Sequence, residues 1–310
     1  MTHMIEAVRI IGLGPLVDLK FALTPLHALT GPDDSGKTTV LDALRLVAGA
    51  PNVDRGLAAR AAVSYIVDGK RGEVRFDGTR FVDDHAASAP VGALFLAFEP
   101  RALAKPCPPL ADDAALGFDG PEGSGLAAIF HALGIRDPKM AAEIGEGICS
   151  LFPHFEALGV AFRPDGDVEL QATLIGGLTV SGAQLGHGLL FSLAYTLVPL
   201  LPYAPLLLID DIERGLHPAR VRMLLAWLRD LSADRQVILT TRSPVVLDEL
   251  EGLEVTLLSR LSENGPVAVR LCDTANYEAR RLVYSHGQMW LEYCDGLLDA
   301  DLIYGPGSAG

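Results

Sequence analysis

Apolar positions along the first hundred residues change period several times, and each change predicts an element. Residues 5–23 alternate well enough for two short strands turning at Gly12-Leu13-Gly14-Pro15. Pro25-Leu26-His27-Ala28-Leu29-Thr30 reads as a short buried strand. Val40, Leu41, Ala43, Leu44, Leu46 and Val47 then fall at helical spacing. This helix is expected to close near Gly49-Ala50-Pro51. Two or three meandering strands follow, carried by residues 63–67 and 73–76 and split by Asp68-Gly69 and Asp77-Gly78. Residues 92–98 form another apolar strand, stopped by Glu99-Pro100.

Further on, residues 104–125 are rich in Pro, Ala and Asp and predict an exposed loop. Helices are expected over residues 126–133 and 138–155, the second with Ile144, Ile148 and Phe152 on one face. Residues 159–174 return to strands around the hairpin turn Arg163-Pro164-Asp165-Gly166-Asp167. From Leu189 to Ile209 there is no charged residue, a length that reaches a membrane span. Pro199, Pro202 and Pro205 break that run and Asp210-Asp211 end it, so a buried helix, a turn and a buried strand explain it better.

Composition narrows the classes. The chain has 310 residues, 49% hydrophobic and 21% charged, enough for a large α/β domain with a substantial insertion. Its formal net charge of -14 argues against a surface that grips nucleic acid unaided, although a local basic patch stays open. Cys107, Cys149, Cys272 and Cys294 form no C-x-x-C pair and read as reduced thiols of a cytoplasmic protein. Glu6, Arg9, Asp18 and Lys20 interrupt the N-terminal apolar residues, so no secretory signal is expected.

The chemistry concentrates between the apolar strand and the first helix. Gly31-Pro32-Asp33-Asp34-Ser35-Gly36-Lys37-Thr38-Thr39 satisfies the phosphate-loop pattern G-x-x-x-x-G-K-[ST] in full. A strand, a Gly-rich loop and a helix N-terminus make a cradle of inward N–H groups where negative charge is favoured. Lys37 is expected to reach the β- and γ-phosphates of a nucleotide, and the Thr38 hydroxyl to ligate Mg²⁺. A second half follows in Leu206-Leu207-Leu208-Ile209-Asp210-Asp211, a continuous apolar strand ending in two carboxylates. Asp210 is the expected Mg²⁺ ligand, usually through water, and Asp211 the expected general base for the attacking water. Read alone, that stretch is also a buried strand with a solvated Asp-Asp turn.

With Ile212-Glu213-Arg214-Gly215-Leu216-His217-Pro218 and Thr241-Arg242-Ser243-Pro244 added, the chain resembles the ABC-class ATPases of the RecF, structural-maintenance-of-chromosomes (SMC) and OLD-like group. Residues 210–218 match that group's D-E-x-E-x-G-L-H-P block, and residues 241–244 its T-H-S-P switch. The resemblance is strong at both ends of the nucleotide site and weak over residues 51–178. It implies an ABC-type P-loop ATPase head with a mixed sheet, an N-terminal antiparallel β part and a helical and β insertion. The expected segments are 1–99, an insertion or lid over 100–178, a second ATPase part over 179–275 and a tail over 276–310, its end frayed.

The resemblance also implies a homodimer around ATP, in which a signature loop of one subunit completes the other's site. The best match is Gln184-Leu185-Gly186-His187-Gly188-Leu189, with Gly186 and Gly188 as nucleotide-contacting positions roughly two dozen residues before Asp210, room for a helix, a turn and a strand. A Gly-rich turn capping the following helix is equally compatible, and Ser181-Gly182-Ala183-Gln184 lies too far upstream.

Four positions depart from the group. Asp33 stands for the usual Asn, Gly186 for the signature Ser, Arg242 for the switch His and Asp211 for the catalytic Glu. Two carboxylates, Asp33 and Asp34, weaken ATP binding unless they face solvent or bond the loop. The shorter Asp211 is expected to hold water less well, giving slow hydrolysis with Glu213 as a second carboxylate and Arg242 as a γ-phosphate ligand. Members of this size lack an effector domain, so the resemblance implies a separately encoded effector, as in DNA repair or anti-phage defence. The alternatives are a nucleotide-gated scaffold with negligible turnover and, less well matched, the ATPase subunit of a membrane transporter.

Overall fold

The computed structural model describes residues 4–49, 57–76, 81–84, 92–259 and 265–293. Its contacts divide into two compact units. The first comprises Met1–Phe95, Ala204–Glu213 and Val221–Gly310, the second Leu96–Tyr203 and Arg214–Arg220.

The first unit opens on the expected hairpin, β1 (Ile5–Leu13) and β2 (Leu16–Ala22), paired antiparallel. Gly14 takes φ 54° between them, a value a side chain resists. β3 (Leu26–Thr30) is buried at every position, and α1 (Lys37–Val47) follows a six-residue loop. β4 (Leu57–Val67), β5 (Lys70–Phe76) and β6 (Phe81–Asp84) add to the hairpin in the order β2-β1-β4-β5-β6. Ile10, Leu13, Leu19, Val63, Tyr65 and Val74 of this antiparallel sheet share one core cluster with Val40, Leu41, Leu44 and Val47 of α1. That packing fixes the helix that carries the loop. The expected helix end beyond Gly49, the Asp77-Gly78 turn, Cys294 and the frayed terminus fall outside the described residues.

β7 (Ala93–Leu96) is an edge strand of the second sheet and leads into the second unit. There α2 (Pro100–Leu103), α3 (Leu126–Arg136) and α4 (Pro138–Leu151) precede β8 (Phe155–Phe162), β9 (Val168–Leu174) and β10 (Thr179–Ser181), in the order β10-β9-β8. α4 is shorter than its sequence pattern, because Phe152 precedes Pro153 and leaves the helix at φ -129°. The stretch 104–125 is tied down more than its composition suggests. Cys107 bridges Val168, and Phe118 meets Phe98 edge-on at 5.1 Å. α5 (His187–Leu197) ends this unit's longest run.

Back in the first unit lie β11 (Leu206–Ile209), α6 (Pro218–Leu231, whose first residues belong to the second unit), β12 (Gln236–Thr241), α7 (Pro244–Asp248), β13 (Val255–Leu258) and β14 (Ala268–Arg270). α8 (Tyr277–Arg280) and α9 (His286–Glu292) close the described chain. The mixed sheet runs β14-β13-β3-β12-β11-β7, with β13, β3, β12 and β11 parallel and β14 antiparallel. All four parallel strands are buried throughout, as strands covered on both faces must be. The uncharged run 189–209 is thus a helix, a turn and a strand. Among the described residues no helix is long and apolar enough to cross a membrane.

Candidate functional site

β3 delivers the phosphate loop at its carboxyl end. The loop needs its glycines: a Cβ on Gly31 would lie 2.6 Å from the Leu258 carbonyl oxygen, and Gly36 sits at φ 88°. Asp34 also takes a left-handed φ of 61°, one that Asp tolerates better than most residues. α1 begins at Lys37 with no side-chain cap on its N-terminus, so its first N–H groups have no intrahelical partner. Lys37 is 9% exposed, and its ammonium donates to the carbonyls of Gly31 (2.9 Å) and Pro32 (2.8 Å). Burial lowers its pKa, Arg242 adds to that, and Asp211, Asp33 and Asp210 oppose it.

The Asp strand meets this loop. Thr38 Oγ1 donates to Asp210 Oδ2 at 2.9 Å, so hydroxyl and carboxylate form one oxygen pair. Thr240, fully buried on β12, holds both aspartates in place. Its hydroxyl donates to Asp210 Oδ1 (2.5 Å) and accepts the Asp211 N–H (2.8 Å). Asp211 turns away from the strand at φ 51° and faces the cleft.

That open cleft has a volume of about 630 Å³ and is walled by Gly14 and Pro15, residues 33–39, Asp211 and Arg242. The guanidinium of Arg242 spans it, donating to Asp33 (2.6 Å) and Asp211 (3.1 Å). Glu213 does not line it. One of its oxygens accepts from Thr241 Oγ1 (2.7 Å) and the other from the Arg242 N–H (2.8 Å), which braces the end of β12. Thr240 and Thr241 carry this support, and the Gly14-Pro15 turn forms a wall; none was singled out as a site residue from sequence. Threonines in a β-rich run read as ordinary strand formers, and only their position next to an Arg-Ser-Pro switch hints at more.

Gly186 and Gly188 lie in the second unit. Gly186 is the residue preceding α5, with open space where a Cβ would be. A Cβ on Gly188 would lie 3.3 Å from both the Gly215 carbonyl oxygen and Arg220 Nη1. Arg220 in turn stacks 3.7 Å over the Phe152 ring and donates to the Leu151 carbonyl. The two glycine-bearing motifs therefore pack on each other within that unit. Ser181 instead closes a capping box with Gln184 over a single 3-10 turn, a local role that accounts for its motif-like text.

Among solved structures, the chain is similar to an SMC head bound to the C-terminal winged-helix domain of ScpA. That match has a TM-score of 0.55 at 15% identity and covers 86% of this chain and 96% of the other. It is also similar to the Pyrococcus furiosus SMC head with an extended coiled coil bound to the C-terminal domain of ScpA. There the TM-score is 0.59 at 13% identity, with 91% and 98% covered. The fold is the ABC-type P-loop NTPase fold. The motif resemblance and the fold of the head thus agree. Residues 124–248 match the family described as AAA domain, putative AbiEii toxin, Type IV TA system, a span that takes in Gly186, Asp210 and Arg242 but not the phosphate loop. No curated protein matches the chain.

The residues of this head fit a nucleotide and a hard cation. The uncapped helix N-terminus and the glycine-lined cradle suit phosphate oxygens. No group of three or more His, Cys, Asp or Glu is placed to hold a metal among the described residues. Thr38 and Asp210 offer the one or two protein oxygens that Mg²⁺ takes, its shell being completed from water and phosphate.

Proposed function

We propose that this chain binds ATP with Mg²⁺ at residues 31–39, Asp210 and Asp211, and hydrolyses it slowly in the cytoplasm. The observation that carries this reading is the Thr38–Asp210 contact, which joins the phosphate loop to the Asp strand as one oxygen site. Lys37 would exchange its loop carbonyls for phosphate oxygens, and Thr38 with Asp210 would hold the cation. Bound Mg²⁺ would neutralise phosphate charge. Asp211, the carboxylate that faces the cleft, would orient and deprotonate the attacking water. Equilibrium titration of ATP tests this. Lys37→Ala should abolish binding, and unchanged affinity in that variant would overturn the reading.

The proposal extends to assembly. ATP would bring two copies together head to tail through residues 186–188 and 215–218, and the dimer would act on a separately encoded effector. The solved SMC heads above are bound to a domain of ScpA, which supports a partner protein for this head. The matched family's description as a putative toxin supports a role in defence against phage, with DNA repair as the other setting. Light scattering with a non-hydrolysable ATP analogue should give a dimer mass that Gly188→Glu prevents.

A nucleotide-gated scaffold is the second reading. It is favoured by Glu213, both of whose oxygens are engaged, and by Asp211, whose carboxylate is held by Arg242. Phosphate release indistinguishable from an Asp211→Asn variant would select it.

A further inference from the structure

Three of the four positions that depart from the ABC-class pattern meet at one guanidinium. Asp33, in place of Asn, and Asp211, in place of Glu, bind the two ends of one guanidinium, that of Arg242, in place of His. An Asn at 33 would offer no charge to that arginine. The three replacements therefore form one charge arrangement across the cleft.

Exposure distinguishes the two contacts. Asp33 is 78% exposed and Asp211 29%, with Arg242 at 50% between them. The outer pair is thus a solvated ion pair and is the one that opens at low cost. The inner pair is better shielded. Arg242 has its pKa raised by Asp211 first and then by Asp33, so it stays charged throughout. Among the described residues, Lys37 is the other cation on the cleft wall, and its ammonium already donates to two loop carbonyls.

We propose that Asp33 moderates the preference for ATP over ADP: it occupies Arg242 and yields it to the γ-phosphate. The inference rests on the ATP-site reading above and adds the regulation of that site. A terminal phosphate carries more charge than one carboxylate, and its oxygens would compete for the same guanidinium, which lines the cleft with the phosphate loop. ATP displaces Asp33 from Arg242, and the exchange leaves the solvated carboxylate in water at little cost. ADP ends one phosphate short and leaves the Asp33–Arg242 pair closed. The switch arginine is thereby released only by a triphosphate, while its hold on Asp211 positions that carboxylate.

A double-mutant cycle on the full chain tests this, with ATP and ADP affinities measured by titration in Mg²⁺. Asp33→Asn removes the competitor and should raise the ratio of ATP to ADP affinity by roughly threefold, the size of one exposed ion pair. In an Arg242→Ala background the same substitution should leave the ratio unchanged, because nothing remains to be released. If Asp33 acts only by repelling the nucleotide, its removal helps ATP as much or more once Arg242 is gone, and the proposal is overturned. A ratio unchanged by Asp33→Asn in the wild-type background also overturns it. These failures are separable from failure of the site: a wild type that binds neither nucleotide, or a Lys37→Ala variant that binds both, refutes the ATP reading itself. Asp33 is exposed, so the Asn variant is expected to fold, and its melting temperature checks this.

Discussion

The hydroxyl of Thr38 donates to the carboxylate of Asp210 at 2.9 Å, although 172 residues of chain separate them. Parallel pairing of β3 with β12, and of β12 with β11, brings the loop and the Asp strand to the same end of one sheet. Thr38→Val keeps the shape and removes the donor. ATP affinity in Mg²⁺ should fall about tenfold or more, the scale of a hydrogen bond to a charged group, whereas affinity in EDTA should hardly change. Equal losses in both conditions would mean that Thr38 shapes the loop instead of serving the cation. Thr38→Ser should restore most of the difference.

Thr240 is the residue on which both aspartates hang. Thr240→Val leaves the Asp211 N–H without its acceptor and one Asp210 oxygen without its donor. The expected cost is about 1–3 kcal/mol of stability, read by urea unfolding, together with a loss of turnover. Thr240→Ser keeps the hydroxyl and should recover turnover more fully than stability, since a methyl group is still missing from a closed core.

His27 gives the fold a pH dependence of its own. It is fully buried on β3, with Nδ1 3.0 Å from Thr24 Oγ1 and Nε2 2.9 Å from Thr256 Oγ1. Burial lowers its pKa to about 3, with Arg270 adding to the effect. The native state therefore holds a neutral imidazole where the unfolded chain titrates near 6.5. The contribution is fully present above roughly pH 6.5 and is lost progressively as pH falls toward 3, by about 2 kcal/mol at pH 5. Urea unfolding at pH 7.5 and 5.0 should show that the wild type loses about this much more than His27→Gln. Equal losses in the two proteins would place the titrating group elsewhere.

How much of this was legible beforehand follows from how local each requirement is. The phosphate loop is contiguous, so its pattern is complete within nine residues, although Gly31 also clears the distant Leu258 carbonyl and Thr38 also meets Asp210. Asp210 was readable because a strand buried on both faces is a continuous apolar run. Thr240 was not, because its role depends on β12 lying between β3 and β11, which no short window of sequence records. Glu213 reads in sequence as a second carboxylate, and only the fold shows that both its oxygens engage the backbone and side chain that end β12. The apolar period of α4 runs past Pro153, which masked the helix boundary that the structure places at Leu151. The link from Asp33 to Arg242 spans most of the chain and is a property of the folded cleft alone.

The two carboxylates after the Asp strand now make different demands, and a pair of variants tests them. Asp211 faces the cleft at φ 51°, whereas Glu213 braces Thr241 and the Arg242 N–H. If Asp211 is the working base, Asp211→Asn should lower kcat by about 100-fold or more with ATP affinity little changed. Glu213→Gln keeps an oxygen for one of its two donors and loses the other. It should lower stability by about 1 kcal/mol and turnover only modestly. Asp211→Glu carries the carboxylate one bond farther toward the water, and kcat should rise if reach limits the rate. Its cost is folding stability, about 1 kcal/mol, because Asp tolerates the left-handed backbone better than a longer side chain does. Steady-state phosphate release and urea unfolding on the same three variants separate these effects. A Glu213→Gln variant that folds normally and releases no phosphate would reverse the assignment and make Glu213 the base.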